Sequence, residues 1–140
     1  MRISARCDYA CRALLELSLH WPQDEPLTIH AIAQKQGIPI RYLVQILIAL
    51  KNHGFVASSR GKMGGYNLAC DPEEITLGDV MRKLGGALLP VAGTAKKNGS
   101  VFADVWKEAE LAMSKVLDKV TFEDICKKMK EEGKVLFYQI

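Results

Sequence analysis

The sequence predicts a mainly α fold with a small β-hairpin: a winged helix-turn-helix followed by a long C-terminal dimerisation helix. Three observations carry this. Two apolar-striped helical segments meet at Gly37, the basic glycine-rich stretch "RGKMGG" separates two short strand-like segments, and an apolar period of helical spacing runs from Phe102 to Val120.

At 140 residues the chain is long enough for one compact domain, or a small domain with a helical extension, and too short for two full domains. Apolar residues make up 49% and charged residues 25%, which argues against a disordered or fibrous class. The most apolar run, "ALLELSL" at 13–19, carries Glu16 in its middle, so no membrane span is expected. Met1-Arg2 leads directly into polar residues without a signal-peptide core, and a cytoplasmic location is expected. Cys7, Cys11, Cys70 and Cys126 lack the dense spacing of a secreted disulfide framework and are expected to be free thiols.

Ala10, Leu14, Leu15, Leu17 and Leu19 predict a largely buried helix over 6–20, ended by the "WPQDEP" loop. Thr28 is a suitable N-cap for a short helix with Ile29, Ile32 and Ala33 on one face, which stops at Gly37. Pro39 suits the start of the next helix, whose Leu43, Ile46, Leu47 and Leu50 form an apolar stripe running to Gly54. "FVASS" and "YNLA" then predict the arms of an antiparallel hairpin, with Phe55, Tyr66 and Leu68 facing the core. After the Asp71-Pro72 break, Thr76 and Asp79 resemble a capping box for a helix to about Leu84. Residues 85–100 read as a linker. Phe102, Val105, Trp106, Ala109, Met113, Val116 and Leu117 form the strongest helical stripe, over about 19 residues or roughly 28 Å. That stripe either packs on its own domain or, as we prefer, pairs with the same helix of a second chain. Thr121 caps a last helix over 122–131, and the tail "VLFYQI" is expected to add a strand or fray.

Between Pro26 and Cys70 no acidic residue occurs in 45 positions, where the chain's own rate of 16 in 140 would give about five. The same interval carries Lys35, Arg41, Lys51, Arg60 and Lys62, a distribution suited to a polyanion. A phosphate-binding nucleotide loop is excluded, because Lys62 precedes Gly64 and Gly65 and a strand rather than a helix follows. No catalytic motif is present, and His20, His30 and His53 fall near helix ends or on solvent faces, so no enzyme is expected. In a winged helix-turn-helix the second helix enters the major groove with its N-terminal half leading. Arg41 can bond guanine or phosphate and Gln45 can read adenine. Tyr42 either reaches a phosphate or packs in the core, and Val44 either meets a thymine methyl or packs under the wing.

The segments "MRISARCDYACRALLELS", "AIAQKQGIPIRYLVQILIALKNHGFVASSRGKMGGYNLA" and "EEITLGDVMRKLGG" resemble the Rrf2 family of winged-helix regulators over essentially the whole chain. The resemblance implies a homodimeric transcription factor with a wing in the minor groove and a long helix crossing to the other subunit. It matches Tyr42 and Gln45 to the recognition helix and Arg60 through Gly65 to the wing. The candidate DNA-binding set is then Thr28, Arg41, Tyr42, Gln45, Lys51, Arg60, Gly61, Lys62, Gly64 and Gly65, with residues 1–84 as the DNA-binding domain and 101–140 as the dimerising part. Some family members hold an iron–sulfur cluster on three cysteines before the long helix. Here that loop has none, so no cofactor is expected unless cysteines were replaced near Gly93 to Ser100.

Cys7 and Cys11 lie one helical turn apart, which suits a shared face but not a mutual disulfide: Cβ atoms at that spacing are ~5–6 Å apart, where a bridge needs roughly 4 Å. Two thiolates alone leave a zinc or iron site short of ligands. They read as buried small residues, with a redox or metal-sensing role as the alternative. The competing reading of the whole chain is a protein-interaction module that keeps the winged-helix scaffold without reading DNA.

Overall fold

The computed structural model describes residues 2–22, 25–62, 64–89 and 101–139, with side chains as far as residue 133. Helix α1 (Ala5–Leu19) starts at Ser4, whose Oγ accepts from the Cys7 amide at 3.1 Å. It buries Ala10, Ala13, Leu14 and Leu17 against the other helices. Glu16, on the same helix, is also buried; Gln36 Nε2 donates to its Oε1 at 2.9 Å and His20 Nε2 meets its Oε2 at 3.0 Å. A carboxylate can be removed from water only with such partners, and this one fastens α1 to the end of α2.

Helix α2 (Ile29–Gln36) is capped by Thr28, whose Oγ1 accepts from the Ala31 amide at 3.1 Å. It ends at Gly37, which adopts φ +63°, a left-handed conformation that glycine enters without steric cost. The Ile38 amide bonds back to the Ala33 carbonyl, and Pro39 leads into α3 (Ile40–Asn52). Pro39 is the N-cap rather than a residue of the first turn; its carbonyl accepts from the Tyr42 and Leu43 amides. Helix α3 drives Leu43, Ile46, Leu47 and Leu50 into the core, as its 3, 1, 3 spacing requires.

Strands β1 (Val56–Ser59) and β2 (Gly65–Leu68) pair antiparallel, with Val56 opposite Leu68 and Ser59 opposite Gly65. Phe55, Val56 and Leu68 are buried and Tyr66 packs half-buried on the core. Leu27 adds a third rung, exchanging two backbone hydrogen bonds with Tyr66 at 2.9 and 2.7 Å. A 3-10 turn at Pro72–Glu74 precedes α4 (Leu77–Gly85), where Thr76 accepts from the Asp79 amide at 3.2 Å. Asp79 itself pairs with Lys83 at 3.3 Å.

Helix α5 (Val101–Leu117) has no buried residue. Its links to the rest of the chain are polar at the C-terminal end, where Arg82 bonds Asp118 at 2.5 Å. Helix α6 (Phe122–Gln139) returns to the core: Phe122 is fully buried beside α1–α4, and its amide bonds the Ile75 carbonyl. The α6 backbone continues through the tail that was expected to form a strand or fray. Helical bonds satisfy groups that an added strand would have to pair elsewhere. Of the predicted linker 85–100, residues 90–100 lie outside the described set. So does Met63 of the wing.

Candidate nucleic-acid interface

Helix α3 is two-sided. Opposite its buried stripe it leaves Ile40, Arg41, Tyr42, Val44, Gln45, Ile48 and Lys51 exposed. Tyr42 is 49% exposed and does not pack in the core. Val44, at 37%, is exposed as well. Tyr42 is nevertheless held in place. The Arg41 guanidinium lies over its ring at 5.0 Å and donates to its hydroxyl at 3.3 Å, and the Tyr9 ring of α1 approaches from behind at 6.3 Å. Arg12 in turn covers Tyr9 at 4.9 Å and donates to the Gln36 carbonyl at 2.7 Å. The sequence reading missed Tyr9 and Arg12. Their three-residue spacing on α1 placed them on one face, but which element faced them depended on how α1 crosses α3.

Lys51 joins the helix to the wing, its Nζ donating to Ser58 Oγ at 2.7 Å. Arg60 and Lys62 are exposed at the hairpin tip on either side of Gly61, whose φ of +101° makes the turn. Gly64 closes that turn through its amide to the Gly61 carbonyl at 3.0 Å. Gly65 serves a different purpose: a Cβ there would overlap the backbone of Leu27, so the third rung requires glycine. Thr28 is exposed at the N-terminus of α2, its hydroxyl engaged in the cap. All these groups come from the acid-free interval 26–70, so no carboxylate of that interval competes for a polyanion.

The helical stripe of α5 divides. Phe102, Val105, Trp106 and Val116 are exposed, with Phe102 and Trp106 stacked at 6.3 Å. Ala109, Met113 and Leu117 are half-buried.

Residues 3–128 match the Rrf2 family model, described as iron-dependent transcriptional regulators. The chain belongs to the Rrf2 family. Among its relatives, the HTH-type transcriptional regulator CymR of Bacillus subtilis is 34% identical over 125 residues, covering 89% of each chain. The HTH-type transcriptional regulator IscR of Yersinia pestis is 30% identical over 130 residues, 89% of this chain and 79% of that one. Among solved structures, T. potens IscR superposes with a TM-score of 0.79 at 32% identity, over 94% of this chain and 90% of that one. The B. subtilis CymR structure gives 0.75 at 32%, over 91% and 98%. The fold is therefore that of Rrf2 regulators, a winged helix-turn-helix with an appended long helix.

The iron of the family description can be tested against the residues present. The stretch 85–100 contains no Cys, His, Asp or Glu, and clusters of this kind are held by thiolate sulfur. Cys7 and Cys11 sit on α1, Cys70 after β2 and Cys126 in α6. Among the described residues no three His, Cys, Asp or Glu side chains converge. The donor set does not fit a cluster in that loop.

Proposed function

We propose that this Rrf2 protein acts in the cytoplasm as a homodimer that binds double-stranded DNA at a pseudo-palindromic operator and regulates transcription there. Residues 1–84 contact DNA, 85–100 link, and 101–140 dimerise, with the start of α6 docked back on the 1–84 core. The observation that carries this reading is the two-sidedness of α3: a helix anchored by Leu43, Ile46, Leu47 and Leu50 presents Arg41, Tyr42 and Gln45 outward, next to a basic wing. Gln45 reads a base, Arg41 bonds guanine or phosphate, Tyr42 is a phosphate contact whose geometry Tyr9 and Arg41 fix, and Arg60 and Lys62 are the wing's charge. Gly61 and Gly64 let the wing backbone come close to a groove. The apolar face of α5, exposed in the single chain, is covered by the same helix of a second copy.

Selection from a random duplex library tests this. Enrichment of two inverted half-sites about 10 bp apart, or a multiple of that, is expected. Replacing Arg60 and Lys62 with alanine should weaken operator binding more than tenfold at low salt, and Gln45→Ala should relax one base position. No enrichment over the starting pool would overturn the reading and favour a protein-interaction module.

A further inference from the structure

Ile40, Val44 and Ile48 are exposed branched aliphatic residues of α3. Their four-residue spacing sets them in one row, each ~6 Å further along the helix at 1.5 Å per residue. The core makes no use of this row, because Leu43, Ile46, Leu47 and Leu50 fill the buried side of the same helix. Phosphate contacts make no use of it either, since they need hydrogen-bond donors or cations. A row of this kind is stabilised by a partner that brings apolar groups of its own.

The charge around the row selects that partner. Arg41 and Gln45 stand one residue after Ile40 and Val44, Lys51 stands three after Ile48, and all three are exposed. No acidic residue occurs between Pro26 and Cys70, so this face suits a polyanion that also carries apolar groups. Duplex DNA is one: in its major groove the C5 methyl of thymine is the apolar group on the base edges.

We propose that Ile40, Val44 and Ile48 are specificity-determining residues that read thymine through its methyl group, an inference that rests on the DNA-binding reading above. Gln45, beside Val44, can accept from N6 of an adenine and donate to its N7, and the thymine paired with that adenine turns its methyl into the same groove. Hydrogen bonds to one strand and methyl contacts to the other thus favour A·T pairs by independent means. Against a C·G pair the row covers the cytosine N4 amino group and offers it no acceptor, which selects against cytosine as well. Residues four apart span ~6 Å, close to two base steps of ~3.4 Å, so the thymines that are read lie one or two steps apart in each half-site.

The test uses the full chain and the operator enriched from the library, with each thymine of a half-site replaced in turn by deoxyuridine, which keeps the base pair and lacks the methyl. Fluorescence anisotropy should show a loss of affinity of about fourfold for each methyl that the row covers. In the Ile40→Ala, Val44→Ala and Ile48→Ala proteins, which fold because these side chains are exposed in the single chain, the loss should disappear at the thymine met by the replaced residue. Two or more thymines, one or two steps apart, should each lose their penalty in one of these variants. Fewer than two would overturn the proposal, whether because the scan is flat or because the penalties persist in all three variants. A flat scan on an operator that is still tightly bound removes methyl readout alone, whereas a library that yields no operator removes the regulatory reading with it.

Discussion

Gly61 and Gly65 stand four residues apart in the wing and are glycines for different reasons. At Gly61 the backbone is left-handed and nothing lies within 4 Å of an added Cβ, so alanine brings only conformational strain. At Gly65 alanine would strike the Leu27 backbone and open the two hydrogen bonds between Leu27 and Tyr66. Urea unfolding should therefore show Gly61→Ala losing roughly 1 kcal/mol and Gly65→Ala about 2–3 kcal/mol; equal losses would contradict the third rung. A second residue-scale prediction concerns pH. Asp124 Oδ2 accepts from the Thr121 amide at 3.0 Å while Thr121 Oγ1 accepts from the Asp124 amide at 3.1 Å, a reciprocal capping box at the start of α6. The Thr121 amide, donating to the carboxylate, holds the Asp124 carboxyl below its usual range, and the Thr121 hydroxyl adds to that. A lowered carboxylate stabilises the fold above its unfolded-state pKa, and that contribution disappears as pH falls through the folded one. Asp124→Asn should lower Tm at pH 7 and make progressively less difference as pH drops below about 4. Both T-x-x-D signals were readable in the chain, yet their outcomes differ: at Thr76 the acid turns to Lys83, and at Thr121 it closes the box. The sequence supplied the caps; the neighbours decided which carboxylate was free to reciprocate.

At the scale of the element, α3 separates neighbours by face. Leu47 is fully buried and Ile48 is 46% exposed, although both are branched aliphatic residues. Leu47→Ala should cost about 2–5 kcal/mol and Ile48→Ala within roughly 0.5 kcal/mol, measured by chemical denaturation. A large loss at Ile48 would mean that the outer face of α3 is packed in the isolated protein. This division was legible because helical spacing fixes which residues share a side. The helix-turn-helix was legible for the same reason, with Gly37 marking the turn by its need for a left-handed backbone. What was not legible lies between elements. Glu16 looked like a charge interrupting an apolar run and is instead a buried anchor to Gln36, and Tyr9 became a support for Tyr42 only once α1 crossed α3. Likewise the start of α6 is sealed into the core by Phe122, which one aromatic residue after a capping threonine did not announce.

At the scale of the molecule, dimerisation and DNA binding make one joint prediction. Helix α5 exposes Phe102, Val105, Trp106 and Val116 along one stretch, and an apolar surface of that kind is stabilised by a partner. Trp106→Glu should give a monomer by sedimentation velocity without unfolding α1–α4, since no α5 residue is buried in the single chain. Each protomer offers Arg41, Lys51, Arg60 and Lys62 to phosphates, four cations and hence eight in a dimer. Releasing about 0.9 counterion per neutralised phosphate sets a limit near −7 for the slope of log affinity against log salt. Two variants should then halve that slope by different routes. Arg60→Ala with Lys62→Ala keeps the dimer and removes four of the eight cations, whereas Trp106→Glu keeps every cation and presents only one protomer to a half-site. Fluorescence anisotropy on one labelled operator, from low to physiological KCl, should give both a slope between roughly −3 and −4. Sedimentation then tells them apart, one a dimer and the other a monomer. A Trp106→Glu protein that stays dimeric with the full slope would place the dimer contact elsewhere than α5.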